Sequence, residues 1–216
     1  MRLAHPRTGL SRSLRATTGA VGALLVIGGS LAGCGESGSR QDGPTGAPAP
    51  SVGASLMTAK GERAGSVSLR PVEDEVEVRV EAAGLEPGLH GFHLHERGVC
   101  EADARMEGEL MPFSSAGGHV ARAGSDHGEH AGDLPPLLAG DDGTATAVVR
   151  TGRFEVAELL AGDGSAAMIH ADPDNAANVP ERYVVPGPGG SGGPDADTLE
   201  TGDSGDRVAC GKVERR

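Results

Sequence analysis

Aromatic side chains are almost missing from this chain. It has no tryptophan, one tyrosine and three phenylalanines, 2% of its 216 residues. A base-stacking platform for nucleic acid needs such rings, so that class of function is disfavoured at once. Positive charge is scarce as well. Lys and Arg number 19 against 31 Asp and Glu, a net charge of −12, and the only basic concentration is Arg2, Arg7, Arg12 and Arg15. Without that leading segment, which holds four arginines and no acid, the balance becomes −16. Such a surface repels phosphate backbones, so no nucleic-acid partner is expected. Long apolar runs are missing too: residues 21–31 (VGALLVIGGSL) are too few and too glycine-rich to span a bilayer comfortably. With 37% hydrophobic residues, the core must come from Val, Leu, Ala and Ile, while 36 Gly and 14 Pro point to turns, a linker and short strands.

What is present begins with an export signal. A basic stretch, the apolar run and Ala32-Gly33-Cys34 stand in the order of a secretory leader. Leu31-Ala32-Gly33-Cys34 resembles the lipobox of bacterial lipoproteins, in which the cysteine is acylated after cleavage. Residues 1–33 are therefore expected to be a lipoprotein signal peptide and Cys34 the lipid anchor at the extracytoplasmic face of the cell membrane. Residues 34–54 contain almost no large apolar side chain and are expected to be a disordered Gly/Ser/Pro tether. The folded domain is expected over 55–216.

Within it, Val76, Val78 and Val80 alternate with Glu75, Glu77 and Arg79, the pattern of a half-buried antiparallel strand. Further strands are expected at SLMTAK and AGSVSLR and over 89–95, 144–150, 165–170 and 207–213, with one helical turn over 155–160. Long loops are expected at 96–142 and 171–206. The whole reads as all-β, a Greek-key sandwich or barrel with two long functional loops.

Seven of the eight histidines fall in this domain. His93 and His95 in GFHLHE are spaced i, i+2, which puts both imidazoles on one face of a strand. By itself the motif equally fits two histidines on a polar face. His119, His127, His130, Asp133 and His170 follow, and His127-x-x-His130-x-x-Asp133 offers two nitrogens and an oxygen suited to tetrahedral zinc. Taken alone, that stretch is as readily a solvated acidic loop. His90 reads as an ordinary strand or turn residue.

GFHLHE, Cys100, SAGGH at 115–119, HAGDL at 130–134, MIHADPDNAANVPERY at 168–183 and TGDSGDRVACG at 201–211 together resemble copper/zinc superoxide dismutases, in order across residues 55–213. The likeness is greatest to secreted, lipid-anchored actinobacterial members. The resemblance implies copper ligands His93, His95, His119 and His170, with His119 bridging to a zinc held also by His127, His130 and Asp133. It implies that Asp174 orients ligands of both metals, that Arg207 stands at the mouth of the copper channel, and that Cys100 and Cys210 form a disulfide. His119 and Arg207 are the residues it implies in catalysis, superoxide is the implied substrate, and the family also allows a homodimer.

The chain departs from the family in two places. Only Gly128 and Glu129 separate His127 from His130, fewer than the family usually has, so zinc occupancy is left open beside copper alone. The segment before Arg207 has no Lys and carries Asp195, Asp197, Glu200, Asp203 and Asp206. Two other readings stand beside a dismutase. A copper-binding or copper-buffering lipoprotein on the same fold would need no arginine at the metal. A zinc hydrolase built on HxH would want an aspartate at position 97, where Arg97 stands.

Overall fold

The valine alternation becomes a strand in the computed structural model, which describes residues 51–177 and 193–216. Val76, Val78 and Val80 are buried, and the strand that carries them is flanked on both sides. In chain order the strands are β1 (Val52–Thr58), β2 (Arg63–Val72), β3 (Glu75–Ala82), β4 (Gly88–His95), β5 (Arg105–Met106), β6 (Glu109–Leu110), β7 (Asp133–Ala139), β8 (Ala145–Thr151), β9 (Ala166–His170), β10 (Arg207–Lys212) and β11 (Glu214–Arg215). Two short helices join them, α1 (Val156–Leu159) and α2 (Ala196–Thr201).

Nine of these strands form one antiparallel sheet with the path β7-β4-β9-β10-β1-β2-β3-β8, and β11 extends β1. The tight turn over 140–144 joins the two ends of the path and nearly closes the sheet into a barrel. β4 pairs with β7 and β9 and not with β3, so the chain crosses the barrel ends in Greek-key fashion. Inside pack Leu56, Val67, Val78, Phe92, Leu94, Leu137 and Ile169. Outside, Ala166, Met168 and Cys210 are covered by Phe113 and Ala116 from the first long loop. The loop becomes a second small core there, and Cys100–Cys210 bolts it to β10.

Three expectations need correction. β1 begins at Val52, so residues 52–54 of the expected tether belong to the barrel; Ala54 is fully buried, and a small residue suffices where the barrel interior is tight. The expected loop 96–142 ends early, because 133–139 form β7, whose Pro135 and Pro136 hide it. Proline removes a ladder donor and is tolerated here because β7 lies at the end of the sheet path, pairing with β4 alone. The loop over 171–206 carries α2, started by the Asp195 side chain, which accepts from Thr198 N at 2.9 Å. The signal segment, Cys34, the tether up to residue 50 and the end of the 168–183 motif from residue 178 lie outside the described residues.

The bridge spans 110 residues of sequence. For a loop of that size restriction of the unfolded chain is worth about 4–5 kcal/mol in the chain-entropy model. The double variant Cys100→Ala/Cys210→Ala is expected to lose about 2–5 kcal/mol in denaturant unfolding. An unchanged midpoint would show that the bond does not form in solution.

Candidate metal centre

Four adjacent strands of the path deliver the site. β7 begins with Asp133, β4 ends with His93 and His95, β9 ends with His170, and β10 begins with Arg207. The strand registers set His93 opposite Asp133 and Arg207 opposite His170. His93 and His95 point away from the barrel interior, yet both are fully buried because the two long loops close over them. His119 comes from the first loop and is bridged to His95 through the backbone.

Each imidazole of the first group is fixed by one nitrogen and leaves the other free. His95 Nδ1 donates to the Gly117 carbonyl at 2.9 Å and His170 Nδ1 to the Gly205 carbonyl at 3.2 Å. A carbonyl only accepts, so each Nε2 carries a lone pair, and the two Nε2 atoms face each other 3.4 Å apart. His93 Nε2 donates to Asp174 Oδ2 at 2.6 Å, and its Nδ1 is buried with no partner. The ligand atoms of His93, His95, His119 and His170 lie within 4.8 Å of one another. Lone pairs converging in a dry space repel unless a cation sits among them, and imidazole nitrogens suit copper and zinc.

A second group surrounds one oxygen. Asp133 Oδ1 is 2.8 Å from His119 Nδ1, 3.4 Å from His127 Nδ1 and 3.5 Å from His130 Nδ1. His130 Nδ1 is in turn 3.5 Å from His119 Nδ1. Ligands about 2.0–2.1 Å from a tetrahedral zinc lie about 3.3–3.4 Å apart, so this donor set fits zinc. His93 also falls within 4.8 Å of His119, His127 and Asp133, which shows how closely the two groups adjoin. His119 belongs to both. The two-residue span after His127 therefore does not keep His127 and His130 from reaching the same carboxylate.

Protonation follows the same design. Burial first, then positive neighbours, holds His95 well below its ordinary value, and burial brings His119 down to about 4 and His170 to about 3. These rings are neutral at neutral pH, as ligands must be. His127 is the exception: burial pulls it down, but the Asp133 and Asp174 carboxylates that face its ring carry it up to about 9. Burial opposes ionisation of Asp133 and Asp174, yet the imidazoles facing them hold both well below the usual carboxylate range. A positive charge is wanted between these carboxylates, and in metal-free protein a proton on His127 supplies it.

Asp174 joins the groups. Its Oδ2 takes His93 Nε2 and its Oδ1 takes His127 Nε2 at 2.9 Å, and the other nitrogens of these two rings are the buried atoms without partners. Arg207 donates to the Phe113 and Gly117 carbonyls, both at 2.7 Å. Gly117 O thus receives Arg207 and His95 together. Sequence reasoning missed two supports. His90 is buried and bonds the His170 carbonyl at 2.7 Å, and Ser204 donates to Asp174 Oδ2 at 3.2 Å. Nothing in either residue's neighbourhood signals this, although Gly91 does in hindsight, since a Cβ there would strike the Ser204 side chain.

An antiparallel barrel that buries two adjoining His/Asp donor sets under two loops is a metalloprotein of the two-metal β-barrel class. The family model described as copper/zinc superoxide dismutase matches residues 63–213. The chain is 38% identical over 191 residues to the superoxide dismutase [Cu-Zn] of Mycobacterium tuberculosis, covering 86% of this chain and 78% of that protein. It is 32% identical over 180 residues to that of Escherichia coli K12, covering 79% and 92%. Among solved structures it resembles the Cu/Zn superoxide dismutase from Brucella abortus at a TM-score of 0.59 and 26% identity, over 76% of this chain and 99% of that one. A SOD-like protein from Bacillus subtilis gives a TM-score of 0.55 at 27% identity, over 75% and 97%. The chain belongs to the copper/zinc superoxide dismutase family, and its activity is that of an oxidoreductase that dismutes superoxide.

Because Asp174 orients a ring in each group, Asp174→Asn should weaken both, by about 10–100-fold in metal affinity. Chelator competition with copper and with zinc checks this. Loss at one group alone would mean that the two are oriented independently.

Proposed function

We propose that this chain dismutes superoxide at the outer face of the cell membrane, with copper held by His93, His95, His119 and His170 and zinc by His119, His127, His130 and Asp133. The observation that carries the assignment is the pair of buried nitrogens without hydrogen-bond partners among the described residues, His93 Nδ1 and His127 Nδ1, one in each donor set and both presented by Asp174. Copper in the first set supplies one-electron exchange in both directions, so that two superoxide anions and two protons become dioxygen and hydrogen peroxide.

The protein's own groups do the rest. Arg207 is fixed by two carbonyls and keeps its charge for an anion approaching the first set. Its position matters because the chain as a whole is strongly acidic. His119 turns Nδ1 to Asp133 and belongs to both ligand sets proposed here, which makes it the residue assigned to give a proton to the product and recover it. Asp174, by accepting from Nε2 of His93 and His127, holds those two rings in the tautomers that ligation needs.

A copper-buffering role on the same scaffold would make Arg207 idle. Arg207→Ala is expected to lower kcat/KM by roughly 10- to 10³-fold at low salt, the range that local charge contributes to association of a small ion, with copper content unchanged. Arg207→Lys should lose less. Wild-type activity in Arg207→Ala at low salt would mean that Arg207 merely offsets nearby acids, and copper-loaded wild type without dismutase activity would favour buffering.

Location rests on Leu31-Ala32-Gly33-Cys34, and a diacylated Cys34 supplies the two chains that stable anchoring requires. Cell fractionation should find Cys34→Ala in the soluble extracytoplasmic pool. Undiminished membrane retention would refute the anchor.

A further inference from the structure

The span Gly128-Glu129 between His127 and His130 is held by charge on both sides. On one, Asp133 Oδ2 accepts from Gly128 N at 2.6 Å and from His130 N at 3.1 Å, while its Oδ1 faces the three imidazoles. On the other, Arg153 Nη1 donates to Gly128 O at 2.9 Å and to His130 O at 3.2 Å. Arg153 lies between β8 and α1, far from this loop in sequence, and among the described residues it makes no ion pair. Its guanidinium is committed to these two carbonyls. Gly128 itself sits at φ 92°, and a Cβ there would strike the Ala177 side chain. The span is thus held from both sides, and its peptide dipoles run from anion to cation.

We propose that Arg153 is a positioning residue that straps this short span into the shape in which His127 and His130 both reach the zinc held with Asp133. The proposal rests on the zinc reading given above. A loop of two residues between ligands has little slack, so its carbonyls must turn outward together if both Nδ1 atoms are to turn in. A single Nη1 on a rigid, planar guanidinium serving both carbonyls enforces that at little entropic cost. Arg153 also lines an open cavity of about 330 Å³ shared with Gly128, Asp133, Asp174 and Ala176. The strap therefore borders a cavity that both carboxylates also line, and loosening it should speed zinc exchange.

The test uses full-length protein loaded with copper and zinc, mixed with excess chromophoric chelator, with release of each metal followed separately. Zinc release from Arg153→Ala should be about 10–100-fold faster than from wild type, the range typical of residues that orient metal ligands, with copper release unchanged. Arg153→Lys, which keeps the charge but not the rigid planar guanidinium, should fall between and serves if the alanine variant does not fold. Unchanged zinc release in Arg153→Ala overturns the strap, and so does equal acceleration of copper, which would mark general loosening. Wild type that takes up no zinc overturns the zinc reading and the strap with it. That outcome differs from an idle strap, in which wild type holds zinc.

Discussion

The Asp174 carboxylate, buried between His93 and His127, is the constraint on which the site depends. Its two oxygens face rings from different elements, β4 and the first long loop. Asp174 itself comes from the second loop. Three segments distant in sequence are thereby tied at one point, and Ser204 and the Ala176 amide complete its hydrogen bonds. A buried carboxylate left without such donors would be expensive. The imidazoles satisfy it only by turning their remaining nitrogens inward, toward where metal would sit. Stability of the loops and readiness of the ligands are thus one requirement.

The barrel makes this arrangement affordable in packing terms. β4 is alternately core and site: Phe92 and Leu94 fill the interior while His93 and His95 face out beneath the loops. The period of two is what presents both imidazoles on one surface. β9 repeats the device, with Ile169 inside and His170 outside. The outer surface could not stay dry without a lid, and Phe113 and Ala116 provide it, fastened by the disulfide. Carbonyls at Gly117 and Gly205, in the same lids, orient His95 and His170. The loops that exclude water are therefore also the parts that aim the ligands.

How much of this could be read beforehand differs by element. The Val76–Val80 alternation and the His93–His95 spacing were legible because a strand's period shows directly in sequence. The family motifs carried the residue roles, and all seven proposed metal-site residues, His93, His95, His119, His127, His130, Asp133 and His170, converge within two adjoining groups. β7 was not legible, since paired prolines argue against a strand and only its place at the end of the sheet path admits them. α2 was hidden in an acidic, glycine-rich stretch. His90, Ser204 and Arg153 were invisible for a different reason. Each acts on a backbone carbonyl or carboxylate brought near by folding, and no local pattern encodes such a partner.

An acidic protein that handles an anion must keep its negative charge away from the anion's path. Asp133 and Asp174, the carboxylates nearest the metal groups, have imidazoles or backbone amides facing every oxygen, so their charge is spent within the site. Arg207 is arranged in the opposite way. Its donors go to neutral carbonyls, and among the described residues it makes no ion pair, so its charge is held in place without being cancelled. Arg97, two residues beyond His95, adds a second positive charge that Arg207 senses. Surface acids farther off are screened over about 8 Å at physiological ionic strength, whereas a charge at the site mouth acts at contact. Local placement thus outweighs net charge, and the role proposed for Arg207 is compatible with a chain at −12 that has no lysine-rich loop.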